Sequence, residues 1–257
     1  MTSDPIVARL RRAGSVFAED EAALLVASTA DPQVLDTLVA RRVAGEPLEQ
    51  VLGWVEVGGR RLTVAPGVFV PRARTVLLAR TAIKLLPRDG RLLDLCCGVG
   101  TVAALVHAVR SDVVLHASDV DPRATACAST NLPSATVHTG DLFAPLPDGP
   151  RFDVVAVNAP YVPTDEIAHM PPEARDHEPH ATLDGGPDGI AWHRRVAAEV
   201  RQHLAPAGVV AIETGRHQVP LTAAALEACG FRTDVVVDDE VAGTVVIGRA
   251  AEPADPI

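Results

Sequence analysis

From Leu92 to Ile247 short apolar runs alternate with helical stretches, and this alternation constrains the fold more than any other feature of the chain. Leu92-Leu93-Asp94-Leu95, Val113 to Asp119, Ala135 to His138, Phe152 to Asn158 and Val209 to Glu213 read as strands. Helices are expected from about Thr101 to Val109, Pro122 to Thr130, Ile190 to Leu204 and Val219 to Cys229. Phe231 to Val237 and Thr244 to Ile247 close the chain as an antiparallel pair. A strand covered on both faces reads as an unbroken Val/Leu/Ala run. Strand–helix repetition winds such strands into a doubly wound α/β sheet of the Rossmann-like class. Only 3% of residues are aromatic against 47% hydrophobic, so small aliphatics must fill the core. Helices layered on a parallel sheet suit that composition.

Upstream the pattern differs. Residues 1–52 are helical in character: Leu10, Ala13, Val16 and Phe17 lead into an acidic turn, and Asp31-Pro32 signals an N-cap followed by proline at the first helical position. Gly58-Gly59 then separates Trp54–Val57 from Arg61–Val64, a hairpin signal. Three regions are therefore expected: a helical domain over 1–52, a β-hairpin linker over 53–75 and the α/β domain over 76–257. No element is assigned between Pro71 and Leu92.

A formal charge of −10 argues against general binding to phosphate backbones, which needs clustered Lys and Arg. The four cysteines, Cys96, Cys97, Cys127 and Cys229, include no C-x-x-C pair, so zinc spacing is missing and a reduced, cytoplasmic protein is expected. No run of about 18 apolar residues could span a bilayer, and the first ten residues do not read as a signal peptide. A monomer is expected. His169, His177 and His180 share a Pro-rich loop without the ligand placement a metal site wants, so no metal is assigned; the loop reads as a lid that orders with substrate.

Two loops carry the chemistry. Asp94-Leu95-Cys96-Cys97-Gly98-Val99-Gly100 leaves the first long strand and opens a helix, with glycines that allow a tight turn and close approach of a ligand. Asp119 ends the next strand, placed for two ribose hydroxyls, and Asp141-Leu142 follows the third, placed for an adenine edge. A nucleotide-bearing cofactor fits this spacing, and a dinucleotide fits it less well because the G-x-G-x-x-G order is broken by Cys96 and Cys97. The second loop, Asn158-Ala159-Pro160-Tyr161, lies at the mouth of a very apolar strand. The Asn158 oxygen and the Ala159 carbonyl can accept the two N–H groups of a planar NH2, orienting its lone pair and favouring positive charge on nitrogen. Tyr161 would wall the planar group.

These motifs resemble the protein N(5)-glutamine methyltransferases that modify the Gly-Gly-Gln motif of peptide-chain release factors. Arg41-Arg42-Val43-Ala44-Gly45-Glu46-Pro47-Leu48 is similar to the family's Arg-Arg…Gly-Glu-Pro segment, and Leu62 through Arg72 to its Val-x-Pro-x-x-x-Ile-Pro-Arg linker. Cys96–Gly100 stands where the family has its cofactor glycines, and Asn158–Tyr161 where it has Asn-Pro-Pro-Tyr. His177-Glu178-Pro179 through Leu183-Asp184-Gly185-Gly186-Pro187-Asp188-Gly189 resembles its Glu-Pro…Leu-x-Gly-Gly-x-Asp-Gly run. The resemblance implies a Rossmann-like class I methyltransferase using S-adenosylmethionine. It implies a cofactor pocket of Asp94, Cys96, Cys97, Gly98, Val99, Gly100, Asp119, Asp141, Leu142 and Asn158. It also implies a catalytic loop of Asn158, Ala159, Pro160 and Tyr161, and a release factor recognised by the N-terminal domain.

The sequence departs from the family's pattern in places. Cys96 and Cys97 replace the first glycine and its neighbour, and a cysteine at the first position should keep φ below zero unless strained. Ala159 replaces a proline, a loss of pre-organisation of about 0.4–1 kcal/mol. Ala73-Arg74-Thr75-Val76 replaces Pro-Glu/Asp-Thr-Glu, so Arg74 reverses a charge. The N-terminal helical region is short. Methylation of another planar amine such as adenine N6, and a non-catalytic paralogue, stand as alternatives.

Overall fold

The computed structural model describes residues 4–149 and 151–250; the outermost parts of the expected 1–52 and 76–257 regions lie outside the described residues. Four helices come first: α1 (Asp4–Arg12), α2 (Ala18–Ser28), α3 (Pro32–Val43) and α4 (Leu48–Leu52). Asp31 caps α3 as expected, its side chain accepting from the N–H groups of Gln33 and Val34 with Pro32 at the first position. Ile6, Leu10, Ala22, Leu25, Leu35, Val39 and Val51 form a small core of their own. Inside it, the Arg42 guanidinium forks onto both oxygens of Glu21 (2.8 and 2.9 Å), a bidentate pair that satisfies two buried charges at once.

Gly53, in the left-handed region, ends α4 and turns the chain into the hairpin β1 (Trp54–Val57) and β2 (Arg60–Thr63). The hairpin is antiparallel around Gly58-Gly59, with the second strand one residue earlier than the sequence suggests. A helix not assigned from sequence follows, α5 (Thr75–Leu85). Its N-cap, Arg74, makes no side-chain cap, so the usual start signal is missing. It forms because Leu77, Leu78, Ala79 and Ala82 find a face of the sheet to cover.

The remaining strands are β3 (Arg91–Leu95), β4 (Val114–Asp119), β5 (Thr136–Thr139), β6 (Phe152–Val157), β7 (Leu204–Glu213), β8 (Phe231–Asp238) and β9 (Gly243–Ala250). They form one sheet in the order β5-β4-β3-β6-β7-β9-β8, parallel except where β9 pairs with β7 and β8. The expected doubly wound sheet is therefore present, with the antiparallel closing pair in place. Helices α6 (Thr101–His107), α7 (Pro122–Asn131), α9 (Ala191–Glu199) and α10 (Val219–Ala228) flank it, and α8 (Pro172–His177) lies in the segment after β6. Along β6, Val154 and Ala156 enter one hydrophobic cluster while Val155 and Val157 enter the other. That is period-two alternation with both faces apolar, the reason the strand reads as continuous Val and Ala.

Beyond shifts of element ends by a few residues, two differences from expectation bear on the site. The helix expected to run to Leu204 stops at Glu199 and tightens into a 3₁₀ turn, Val200–His203, because Leu204 already begins β7 beside Phe152. The loop expected between Tyr161 and Leu183 is instead folded into short pieces, Thr164–His169, α8 and His180–Thr182. Two charged pairs hold it. Glu178, buried, accepts from one Arg72 guanidinium nitrogen at both oxygens (2.7 and 2.8 Å) and from the Val70 N–H (3.3 Å), while Glu173 pairs with Arg42 of α3 (2.5 Å). The chain is thus folded over the site by contacts to the linker and the helical layer.

The candidate active site

In the strand order, successive crossovers run from β3 toward β5 and then jump back to place β6 on the other side of β3. The carboxyl ends of β3 and β6 therefore diverge at a topological switch point, where open α/β sheets bind ligands. The two loops singled out from sequence leave those two strand ends.

The loop after β3 is built from backbone conformation. Cys96 (φ 57°), Gly98 (φ 53°) and Gly100 (φ 83°) are all left-handed. The expectation that Cys96 would keep a negative φ is overturned: the turn demands the left-handed region, and the cysteine adopts it at a cost of about 1–2 kcal/mol. Two acids clamp this loop. Asp94, fully buried beneath α6, accepts the Ala103 N–H (2.9 Å). Burial raises its pKa to about 7 despite that bond, with the nearby Asp119 adding to the rise. Asp119 accepts from the N–H of Gly98 (2.8 Å) and of Asp121 (2.9 Å), and burial raises its pKa. The Cys96 and Cys97 thiols are pushed well above their ordinary range, first by burial and then by the neighbouring carboxylates, so they stay protonated and unreactive.

Asp141 sits on the rim with both oxygens paired to Arg195 (3.1 and 2.8 Å). Leu142 is left-handed (φ 45°), and its carbonyl accepts the Ser118 hydroxyl (3.0 Å), which fixes the chain where an adenine edge is expected. Val99 and Cys97, with Asp94, Thr75 and Asn158, line a small hollow on the α6 side of the loop.

The loop after β6 is built from side-chain partners. Asn158 Nδ2 donates to the Thr75 hydroxyl oxygen (3.1 Å), and its backbone N–H reaches the Leu95 carbonyl (3.4 Å). Ala159 is buried, and Pro160 turns the chain to Tyr161, the only tyrosine of the sequence. The Tyr161 hydroxyl donates to Glu213 Oε1 (3.3 Å) at the end of β7, and its carbonyl accepts from Gln218 Nε2 (2.8 Å). Burial and the Glu213 charge hold the phenol well above its usual range, so Tyr161 stays neutral. Arg74, the reversed charge, sits 5.6 Å from the Tyr161 ring centre and 3.5 Å from Glu213 Oε1.

The glycine-rich run after Leu183 packs against the same loop. A Cβ on Gly185 would lie 2.7 Å from the Tyr161 Cα and 2.5 Å from the Gly189 carbonyl oxygen. A Cβ on Gly189 would meet the Tyr161 carbonyl oxygen at 2.5 Å and run into the Gln218 amide. These glycines are there for close backbone approach.

One pocket joins the two loops. It runs from Asp119, Asp141 and Leu142 past Cys96 and Gly98 to Asn158, Ala159, Pro160 and Tyr161, with Phe69, Arg72, Arg74, Trp192 and Glu213 completing its walls. The sequence-predicted residues therefore converge, except that Asp94, Cys97, Val99 and Gly100 lie behind the loop surface rather than on this pocket. Glu213 was missed from sequence. Its signal was available: a charged residue ends the apolar run Val209-Val210-Ala211-Ile212, as Asn158 ends that of β6.

A family model for the methyltransferase small domain matches residues 61–170. A release factor glutamine methyltransferase of Mycolicibacterium smegmatis is 35% identical over 87% of this chain and 82% of its own. One of Geobacter sulfurreducens is 33% identical over 76% of this chain and 69% of its own. Among solved structures, a methyltransferase of Pyrococcus furiosus shares the fold, with a TM-score of 0.56 at 15% identity over 83% of this chain and 98% of that one. The family model spans both loops, and with relatives this similar over more than two thirds of their length the chain belongs to the release factor glutamine methyltransferase family.

Proposed function

We propose that the chain transfers a methyl group from S-adenosylmethionine to the side-chain amide nitrogen of a glutamine in a peptide-chain release factor, at its Gly-Gly-Gln motif. The observation that carries this reading is one pocket with acids at one end and the Asn158–Tyr161 loop at the other. The acidic end suits an adenosine: Asp119 ends β4, Asp141 and Leu142 follow β5, and Gly98 has open space around the position a Cβ would take. Asp141 would exchange its Arg195 pairing for the adenine edge. When bound, the cofactor supplies a methyl on a cationic sulfur; the N–C bond forms as the C–S bond breaks, and a proton leaves the nitrogen.

The chain's own residues do the rest. An amide nitrogen is a poor nucleophile because its lone pair is delocalised. The Asn158 amide gives its NH2 to Thr75, which leaves Oδ1 to accept one substrate N–H. The Ala159 carbonyl accepts the other. Both acceptors favour the positive charge that builds on nitrogen, and they aim its lone pair along the transfer line. Neutral Tyr161 walls the planar group, and the folded segment carrying Glu178 limits water.

Residues 1–52 are proposed as the recognition domain for the release factor, 53–75 as the linker and 76–257 as the methyltransferase domain. A cytoplasmic monomer is proposed, the location from the four cysteines without zinc spacing and the absence of direct nucleic-acid binding from the acidic charge; among the described residues no helix is long and apolar enough to cross a membrane. The relatives' activity favours glutamine over adenine N6 as acceptor. Mass spectrometry of release factor incubated with the protein and S-adenosylmethionine tests the reading. One added methyl on the Gly-Gly-Gln glutamine, lost in Asn158→Ala, is expected; no added methyl despite measured cofactor binding would overturn it.

A further inference from the structure

We propose that Arg74 sets specificity for the acceptor peptide: its guanidinium donates to main-chain carbonyls beside the glutamine that is methylated. The proposal rests on the glutamine-methylation reading above and adds to it a contact outside the reacting amide.

The acceptor motif narrows what a pocket can recognise. Glycine has no side chain, so beside its glutamine a Gly-Gly-Gln stretch offers only backbone N–H and C=O groups. The Asn158 Oδ1 and the Ala159 carbonyl are acceptors, suited to the N–H groups of the side-chain amide. Backbone carbonyls need the opposite partner, a donor, at the mouth of the same pocket. Arginine is that partner, with a planar fork of N–H donors and no acceptor.

Two arginines line the pocket, Arg72 and Arg74. Arg72 is committed, since one of its guanidinium nitrogens serves both oxygens of Glu178 (2.7 and 2.8 Å). Arg74 is held differently. Its Nε stands 3.5 Å from Glu213 Oε1, and its guanidinium lies 5.6 Å from the Tyr161 ring centre. The Glu213 contact leaves both Nη groups, which form no hydrogen bond among the described residues, to donate elsewhere. The Glu213 side chain is 1% exposed and that of Arg74 44%, so the arginine is anchored at a buried carboxylate and open to an incoming chain. A guanidinium already steadied by a carboxylate and a ring loses little freedom when a ligand arrives.

The strand order says which ligand that is. Asp119 ends β4 and the Cys96–Gly100 loop leaves β3, while Tyr161 follows β6 and Glu213 ends β7. A Cβ on Gly243, which opens β9 beside β7, would lie 3.0 Å from the Arg74 carbonyl oxygen. Arg74 therefore stands across the Asn158–Tyr161 loop from the cofactor strands, on the side of the acceptor and not of the cofactor's carboxylate. A donor on the side-chain carbonyl of the glutamine would draw the nitrogen lone pair into the amide and oppose transfer. Main-chain carbonyls are the partners that leave the reacting nitrogen unaffected.

The test uses the full chain with intact release factor as acceptor, and the variants Arg74→Ala and Arg74→Lys. Arg74→Ala is expected to raise the release-factor KM about tenfold or more, while kcat and the S-adenosylmethionine Kd stay within about twofold. Arg74→Lys keeps the charge beside Glu213 without the fork and recovers only part of the KM. Because a carbonyl is neutral, the ratio of the Arg74→Ala and wild-type KM values is expected to be the same in low and high salt. An unchanged KM overturns the proposal. A ratio that collapses in high salt, or full rescue by Arg74→Lys, shows an acidic side chain as the partner and overturns it too. So does a fall in kcat at constant KM, which would place the role of Arg74 in holding Tyr161 and Glu213, or a weakened S-adenosylmethionine Kd, which would place it on the cofactor. A wild type that methylates no release factor overturns the functional reading and this proposal with it. A methylating wild type with an unchanged KM in Arg74→Ala overturns this proposal alone.

Discussion

The two loops at the switch point reach their shapes by opposite means. The loop after β3 is made from backbone: three left-handed residues within five positions, with Asp94 and Asp119 holding main-chain N–H groups. The loop after β6 is made from side chains and backbone brought from elsewhere: Thr75 before α5's first turn is complete, Glu213 at the end of β7, Gln218 beyond it and the Gly185–Gly189 turn. A site made from backbone tolerates a changed side chain provided the dihedral is kept, which is how Cys96 can hold a left-handed position beside Gly98 and Gly100. A site made from converging side chains depends on every partner, because each polar group left unpaired in a buried setting carries its full desolvation cost.

That contrast can be broken by substitution. The largest effect is expected at Asn158→Ala. Removing one preorganised hydrogen-bonding group from a reacting centre costs about 10²–10³-fold in kcat. Cofactor affinity measured by calorimetry should stay near wild type, since the backbone loop is untouched. A loss of cofactor binding equal to the loss of rate would erase the distinction between the two loops.

Paired glycine substitutions sharpen it further. Gly98→Ala has open space and loses only the left-handed preference, about 1–2 kcal/mol. Gly185→Ala must push the Tyr161 and Gly189 backbones apart, adding overpacking of about 1–3 kcal/mol and lowering kcat as well. Urea unfolding and steady-state kinetics on both variants separate the cases; equal stability losses with equal kinetics would contradict the assignment.

Asp94 gives a pH signature confined to the β3 loop. Its folded pKa, about 7, lies above the ordinary aspartate value of 3.8, so its contribution to stability is complete below the unfolded pKa and fades as pH rises toward 7. Asp94→Asn should flatten the stability–pH curve over that window in thermal melts. The smallest effect is expected at Cys96→Gly. Relief of left-handed strain is partly offset by the greater freedom of glycine in the unfolded chain, for a net gain below about 1 kcal/mol. The kcat for glutamine methylation should stay near wild type, with any change confined to the S-adenosylmethionine KM, because Cys96 lines the cofactor end of the pocket.

Much of this site was legible because it sits where apolar strands stop. Leu92–Leu95, Phe152–Val157 and Val209–Ile212 announce buried strands, and Asn158 and Glu213 stand out as polar groups directly after such runs. Asp119 and Asp141 were placed instead by the strands they end or follow, β4 and β5. Helix α5 was not legible, since its start has no cap and its apolar spacing gains meaning only against a sheet face. The segment 162–183 looked irregular because its order comes from Glu178 meeting Arg72 and Glu173 meeting Arg42, contacts across 106 and 131 residues that no local pattern contains.

The sequence by itself determined the sheet, the helices between its strands and the two loops that carry the chemistry, α5 excepted, because strand burial, helical periodicity and turn-forming residues are local properties with local signatures. The tertiary structure alone decided that Cys96 would take a left-handed turn, that Asp141 would face Arg195, that Thr75 would meet Asn158 and that Glu213 would meet Tyr161. Those outcomes depend on hydrogen-bond partners and steric limits supplied by distant strands, and a side chain's partner cannot be read before the fold has brought it near.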